Sequence, residues 1–189
     1  MKIRTFLALE LPQTVRNKLS AHVELISGHD KLQQIRWLPK ENYHLTLSFL
    51  GNVECVLINS LQLKLEKKLS SNKAVPFRFS EITPFPFSGT PKIAAAMLER
   101  SEELMQLQHN TAKCVRAFGI SLDRRRFTPH VTLGRLKYHS RKSIAFKPKQ
   151  FFLEGVSKKV VISRSELAPK GAFYKPLGEI SLMWLQEKH

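Results

Sequence analysis

The stretch from Asn42 to Gly51, NYHLTLSFLG, most narrows what this chain can become, because its pattern returns at Thr128 to Arg135 as TPHVTLGR. Each copy has a histidine followed two places on by a threonine, His44 with Thr46 and His130 with Thr132. Apolar residues alternate with them: Leu45 and Leu47 in one copy, Val131 and Leu133 in the other. Strict alternation is the mark of a half-buried strand. Successive strand side chains point to opposite faces, so an imidazole and a hydroxyl leave one face of each strand while the aliphatic pair enters a core. Chance accounts for this poorly. With eight threonines in 189 residues, a Thr two places after a given His is roughly a 4% event, yet it occurs at two of the seven histidines. The histidines lie 86 positions apart (130 − 44), each after a helix-like segment and a turn, which predicts a duplication. The expected fold is α+β: two αβ lobes that face each other across a central cleft, with antiparallel sheets, in a single bilobal domain over residues 1–189.

The remaining periodicity supplies the other elements. Ile3 to Leu11 reads as a first strand ending at Pro12, a residue suited to a helix's first turn. Val15, Leu19, Val23 and Ile26 keep helical spacing over Gln13 to Ser27, with Gly28 as the stop. A short strand is expected at Arg36 to Leu38, then a turn at Pro39 to Asn42 and the His44 strand, ended by Gly51 and Asn52. A second helix covers Glu54 to Leu69, with Val56, Leu57, Leu61, Leu65 and Leu69 on its apolar face. Pro76 to Ile82 alternates, and the following TPFPFSGTP reads as a loop or irregular hairpin that can cover the cleft. Lys92 to Leu98 is expected as a buried strand and Ser101 to Phe118 as a helix, in which Leu104 spoils a capping box but Glu102 and Glu103 suit the first turn. Strands at His130 to Leu136, Phe151 to Leu153, Val160 to Leu167 and Glu179 to Leu185 complete the chain.

Composition limits the surroundings and the partners. The chain has no run of 18 apolar residues, and Arg4 and Glu10 interrupt the apolar N-terminal segment, so neither a membrane span nor a signal peptide is expected. Two separated cysteines, Cys55 and Cys114, provide no disulfide framework or metal motif, and a reducing cytoplasm is the expected compartment. Net charge is +16, and Ser121 to Lys175, with 14 basic and 3 acidic residues, supplies +11 of it. Such a surplus favours a phosphate-rich partner, with binding weakened by salt.

Two imidazoles on opposite sides of one phosphorus can work as base and acid, one taking a proton from water while the other protonates the departing oxygen. An ordinary pKa of about 6.5 suits imidazole to both tasks. The threonine hydroxyls would hold the nonbridging phosphoryl oxygens. This scheme calls for no metal or other cofactor, and the sequence has no HExxH, Asp-rich cluster or Cys/His set.

With these motifs in place the chain resembles the 2H phosphoesterases, which are named for paired HxTx motifs, and in particular their RNA 2',3'-cyclic phosphodiesterase branch, also called 2'-5' RNA ligases. Here the motifs are residues 44–47 and 130–133. The likeness runs through RTFLALELP at Arg4 to Pro12, RWLPKENYHLTLSFLGNV at Arg36 to Val53, RRFTPHVTLGRL at Arg125 to Leu136 and SELAPKGAFYKPLGEISL at Ser165 to Leu182. It implies a bilobal, pseudo-twofold fold with antiparallel sheets and the motif strands lining a central groove, and hydrolysis of an RNA-terminal 2',3'-cyclic phosphate to a 2'-phosphomonoester. It also implies His44 as proton donor to the leaving 3'-oxygen, His130 as acceptor from water, and Thr46 and Thr132 as phosphate ligands. RNA 3' ends or small cyclic nucleotides are the expected partners, and the chain is expected to be a monomer. Related alternatives are 2',5'-phosphodiester cleavage or ligation at the same site, and, from another class, a non-catalytic RNA-end binding module.

Arg125 and Arg135 flank the second motif where a phosphate contact would be useful. Arg124 and Arg126 are weaker candidates. Tyr43, Phe127 and Trp37 are placed to stack on a terminal base. His22, His29, His109, His139 and His189 lack the motif and are expected at the surface.

Overall fold

The computed structural model describes residues 1–30, 33–123, 125–137, 147–168 and 171–183. In chain order its elements are β1 (Lys2–Leu9), α1 (Gln13–Ser27), β2 (Ile35–Trp37), β3 (Leu45–Glu54), α2 (Ile58–Leu69), β4 (Val75–Phe85), β5 (Ile93–Leu98), α3 (Glu102–Arg116), β6 (His130–Leu136), β7 (Lys149–Ser157), β8 (Lys159–Ala168) and β9 (Gly171–Ser181). Among the described residues the strands join in one nine-stranded sheet, ordered β7-β4-β5-β6-β3-β1-β8-β9 with β2 also on β6. Every pairing between these strands is antiparallel.

The midpoint of that order is the β6–β3 contact, where the strands meet at one residue pair, Leu45 opposite Val131. These are the residues directly after His44 and His130. Moving outward, the halves match. Leu9 and Ala8 of β1 oppose Leu45 and Thr46, while Ala96 and Ala95 of β5 oppose Val131 and Thr132. Each ladder then slips by one residue: Leu7 faces Ser48 and Ala94 faces Gly134, so Leu47 and Leu133 are bulged at equivalent places. Burial runs in the same sequence from Leu45 to Leu50 and from Val131 to Leu136. The pseudo-twofold implied by the family resemblance thus extends to a shared irregularity, and the two halves are parts of one sheet rather than separate sheets.

The helices bury their apolar stripes on one side of the sheet. Val15, Leu19, Val23 and Ile26 of α1, Leu61, Leu65 and Leu69 of α2, and Leu104, Leu107 and Val115 of α3 join Leu7, Leu45, Leu47, Val131 and Leu133 in one core. Phe6, Ala8, Ala95 and Met97 are buried too, but lie outside this cluster because alternation turns them to the opposite face. That opposite face carries the threonines of both motifs. Among the described residues no helix is long and apolar enough to cross a membrane.

Several boundaries differ from the periodicity, each for a physical reason. β3 continues past Gly51, which adopts φ +71°, and pairs to Glu54 opposite Lys2. The second helix therefore begins at Ile58, and Val56 and Leu57 fall in a 3-10 turn, exposed rather than on its apolar face. β4 runs through Thr83-Pro84-Phe85, so the proline-rich segment is an irregular hairpin whose first arm is strand. Its two prolines are tolerated because Pro76 pairs only toward β7 and Pro84 only toward β5. β9 starts at Gly171 and not at Glu179, since a bulge at Leu177 carries the β8 ladder across Pro176 on an edge strand. The end of the strand expected at Glu179 to Leu185 lies outside the described residues. Ser101 does cap α3, its hydroxyl accepting from the Leu104 N–H, although the reciprocal half of a capping box is missing.

At the second bulge, a Cβ on Gly134 would sit 2.5 Å from Ile35 Cγ2, 3.1 Å from Trp37 Cε3 and 3.2 Å from the Arg36 carbonyl oxygen. Gly134→Ala is expected to cost about 1–3 kcal/mol by forcing β2 off β6. A lowered urea midpoint with an unchanged slope is the measurement.

Candidate active site

Each motif histidine is held in the same way. His44 Nδ1 lies 2.7 Å from the Asn42 carbonyl oxygen, and His130 Nδ1 lies 2.7 Å from that of Thr128, two residues upstream in both copies. A carbonyl only accepts, so Nδ1 of each ring carries the hydrogen, and Nε2 is left to face a ligand. The approach to β3 is itself tied down: Asn42 donates its side-chain N–H to the Ala172 carbonyl at 2.8 Å. Because Leu45 and Val131 are paired, antiparallel register sets His44 beside Thr132 and His130 beside Thr46. The four motif side chains surround the contact between the halves. Opposite the threonines stand Ala8 and Ala95, both buried.

Aromatic rings wall the imidazoles. Phe6 stacks on His44 at 4.8 Å between centroids, and Tyr174 meets it edge-on at 4.8 Å. Phe85 lies against His130 at 4.6 Å. These walls set the electrostatics. Burial pushes the His44 pKa from 6.5 down to about 4, assisted by the charge of His130 and opposed by the hydrogen bond to Asn42. Burial also lowers that of His130, opposed by the bond to Thr128. That His130 acts on His44 places the two rings within electrostatic reach of each other.

The other candidates separate. Tyr43 is 2% exposed in the core, so it is not a stacking surface, and burial pushes its hydroxyl up to about 12. Phe127 and Trp37 pack half-buried against the core instead of standing open. Arg125 is exposed and donates through Nε to Asp123 at 2.7 Å, so its guanidinium is committed to that carboxylate. Arg135 is exposed on the motif face: it opposes Ile93, which opposes Phe85, the ring lying on His130. His22 and His29 each bond through Nδ1 to a carbonyl of α1, to Lys18 and Leu25. Arg124, His139 and His189 lie outside the described residues. Sequence reading missed Phe6, Tyr174, Ala8 and Ala95, which reach the site only through strand register, and treated Phe85 as part of a loop. Among the described residues no three His, Cys, Asp or Glu side chains gather as a metal site.

Comparison with known proteins adds a consistent likeness. The model of the LigT-like phosphoesterase family matches residues 9–93 and 97–169. The RNA 2',3'-cyclic phosphodiesterase of Thermotoga maritima is 28% identical over 183 residues, spanning 94% of both chains. That of Thermus thermophilus is 31% identical over 190 residues, spanning 95% of this chain and 90% of the relative. Among solved structures, TT0787 of Thermus thermophilus superposes with a TM-score of 0.79 at 29% identity, covering 95% of this chain and 98% of its own. Escherichia coli LigT complexed with 3'-AMP has the same fold, with a TM-score of 0.81 at 22% identity, covering 97% and 100%.

The lowered pKa values have a consequence for folding. Both histidines bind protons more weakly in the folded chain than in the unfolded one, so acidification favours unfolding as pH falls from 6.5 toward about 4, where His44 levels off. Urea unfolding at pH 7 and pH 5 is expected to show a loss of stability that His44→Gln makes smaller.

Proposed function

Because the chain belongs to the LigT-like phosphoesterase family, we propose that it hydrolyses RNA-terminal 2',3'-cyclic phosphates to 2'-phosphomonoesters with two histidines as acid and base. The observation that carries this reading is the matched presentation of the imidazoles, each with Nδ1 fixed on a carbonyl two residues upstream and Nε2 available. The names of the relatives from Thermotoga maritima and Thermus thermophilus support the substrate class. In this reading residues 1–189 act as one bilobal unit, a monomer of the reducing cytoplasm, on an RNA 3' end or a small cyclic nucleotide.

In the proposed reaction, His130 Nε2 takes a proton from water as the water oxygen bonds to phosphorus. The bond from phosphorus to the ribose 3'-oxygen breaks on the opposite side, and that oxygen takes the proton from His44 Nε2. The product keeps its phosphate on the 2'-oxygen, with a free 3'-hydroxyl. Thr46 and Thr132 donate to the nonbridging oxygens, where charge builds in the transition state. With a pKa of about 4 in the free protein, His44 is neutral at pH 7. The phosphodiester anion stabilises the imidazolium and draws the proton on, so the acid is armed by its own substrate.

A short RNA ending in a 2',3'-cyclic phosphate is expected to be hydrolysed in the presence of EDTA. His44→Ala and His130→Ala should each lower the rate by about 10²- to 10⁴-fold, and Thr46→Val or Thr132→Val by about 10²-fold. Metal dependence, or turnover surviving loss of both histidines, would overturn the mechanism. Chromatography of the products separates this reaction from 2',5'-phosphodiester chemistry, and binding without turnover would leave an RNA-end binding module.

The pH profile of kcat/KM reports groups of the free enzyme. It should fall on the alkaline side as His44 loses its proton and on the acidic side as His130 gains one. Burial moves the maximum below the ordinary imidazole value of 6.5, toward about 4, rather than leaving it at neutrality. A profile flat from pH 4 to pH 8 would exclude the pair.

A further inference from the structure

Two helices on the far face of the sheet carry charge that the paired histidines do not use. Three contacts fix how α2 and α3 lie together. Asn110 Nδ2 donates to Asn72 Oδ1 at 3.3 Å, Lys64 and Lys68 act electrostatically on the Cys114 thiol, and Lys64 Nζ stands 4.8 Å from the centroid of the Phe118 ring. Residue numbers rise along one helix as they fall along the other, so the end of α2 runs antiparallel to the end of α3, with Cys114 buried at the seam. Lys64 and Lys68, one turn apart, edge this seam from α2 beside Lys67, while Lys113 and Arg116 occupy the last turn of α3, and all five are exposed. None of the five has a carboxylate partner among the described residues, whereas Arg78, Lys159 and Arg164 on the strands each have one. Glu66 of α2 is turned to the other flank, where it accepts from Gln62 Nε2 at 2.9 Å and Gln62 lies against Gly178 of β9. Like charges three or four places apart on a helix repel, so this crowding costs stability. Helix ends explain part of it, since a C-terminus carries about half a negative charge. Two ends together offset about one of the five cations, which leaves a surplus of about four.

We propose that the seam between α2 and α3 is a second nucleic-acid surface, which takes the phosphate backbone of double-stranded RNA. The choice of RNA as the polyanion rests on the hydrolase reading, while the surface itself rests on the unpaired charge. Single-stranded binding draws on open aromatic faces for the bases. The ring at this seam, Phe118, is half-buried beneath Lys64 and offers no such face. Contacts therefore go to phosphates, which are presented by a duplex whose bases are turned inward, and binding is independent of sequence. The apolar stripes of both helices pack on the side of the sheet away from the motif threonines. What lies on the seam is thus the body of an RNA and not its reacting end.

Fluorescence anisotropy with a blunt RNA hairpin ending in a 3'-hydroxyl tests this without turnover. Affinity should fall as salt rises, in a straight line when both are plotted as logarithms. The combined variant Lys67→Gln, Lys68→Gln, Lys113→Gln and Arg116→Gln should bind about 10-fold more weakly or worse, with the salt slope reduced by about 2 to 4. A charge-matched control removes four other exposed cations, as Lys18→Gln, Arg100→Gln, Lys147→Gln and Lys149→Gln, and should keep most of both. Equal losses in the two variants would reduce the effect to net charge and overturn the seam, as would no loss in the first. Adenosine 2'-monophosphate, added to fill the cleft, should leave the RNA hairpin bound. Its displacement would put the RNA in the cleft and overturn a second surface. Binding of the wild-type chain to phosphatidylserine vesicles but not to the RNA hairpin would also overturn the proposal. Hydrolysis of adenosine 2',3'-cyclic phosphate and the urea midpoint should be the same in both variants as in the wild type. If the wild-type chain does not hydrolyse that nucleotide, the hydrolase reading fails alone, and the RNA hairpin still decides the seam.

Discussion

One backbone pairing, Leu45 with Val131, joins the two halves of the sheet at the point where the motif histidines and threonines come together. Every other ladder lies within one half, from β7 to β6 or from β3 to β9, apart from the short β2 edge. Because each motif histidine directly precedes its partner in this pairing, shifting either strand by one residue would turn imidazole and threonine toward the helices and the leucines toward solvent. The apolar cost of that slip, with Leu45, Leu47, Val131 and Leu133 all buried in the core, locks the register. The site is therefore positioned by hydrophobic packing on the far side of the sheet.

The near side is tuned by what surrounds the rings. Phe6, Tyr174 and Phe85 exclude water from the imidazoles and disfavour their charged forms, while the carbonyls of Asn42 and Thr128 pull the other way and fix the tautomer. Desolvation wins, which leaves the rings neutral, and an anion bound beside them stabilises the imidazolium and so favours uptake of a proton from solvent.

Much of this was legible in the residues, and the limits are instructive. His44, Thr46, His130 and Thr132 announce themselves because alternation forces side chains two apart onto one face, a local rule that needs no knowledge of the fold. The rings of Phe6 and Tyr174 are 38 residues before and 130 residues after His44, and only strand order brings them to it. Tyr43 looked available because it adjoins a motif histidine, yet alternation sends a neighbour to the other face, and it is buried. The extension of β3 beyond Gly51 and of β4 through Pro84 went unread since glycine and proline usually punctuate strands. Here a left-handed glycine and one-sided pairing let each strand run on.

The matching bulges at Leu47 and Leu133 bear on how such a site originates. A reaction centre that straddles a twofold relation is assembled from one short segment used twice, so a half-length precursor needs no second invention: association of two identical chains already brings two imidazoles and two hydroxyls to a common point. Fusion into a single polypeptide then frees each copy to diverge, as Ser48 and Gly134 do just after the matched bulges, and such a position can acquire a meaning that no strictly symmetric assembly is able to express.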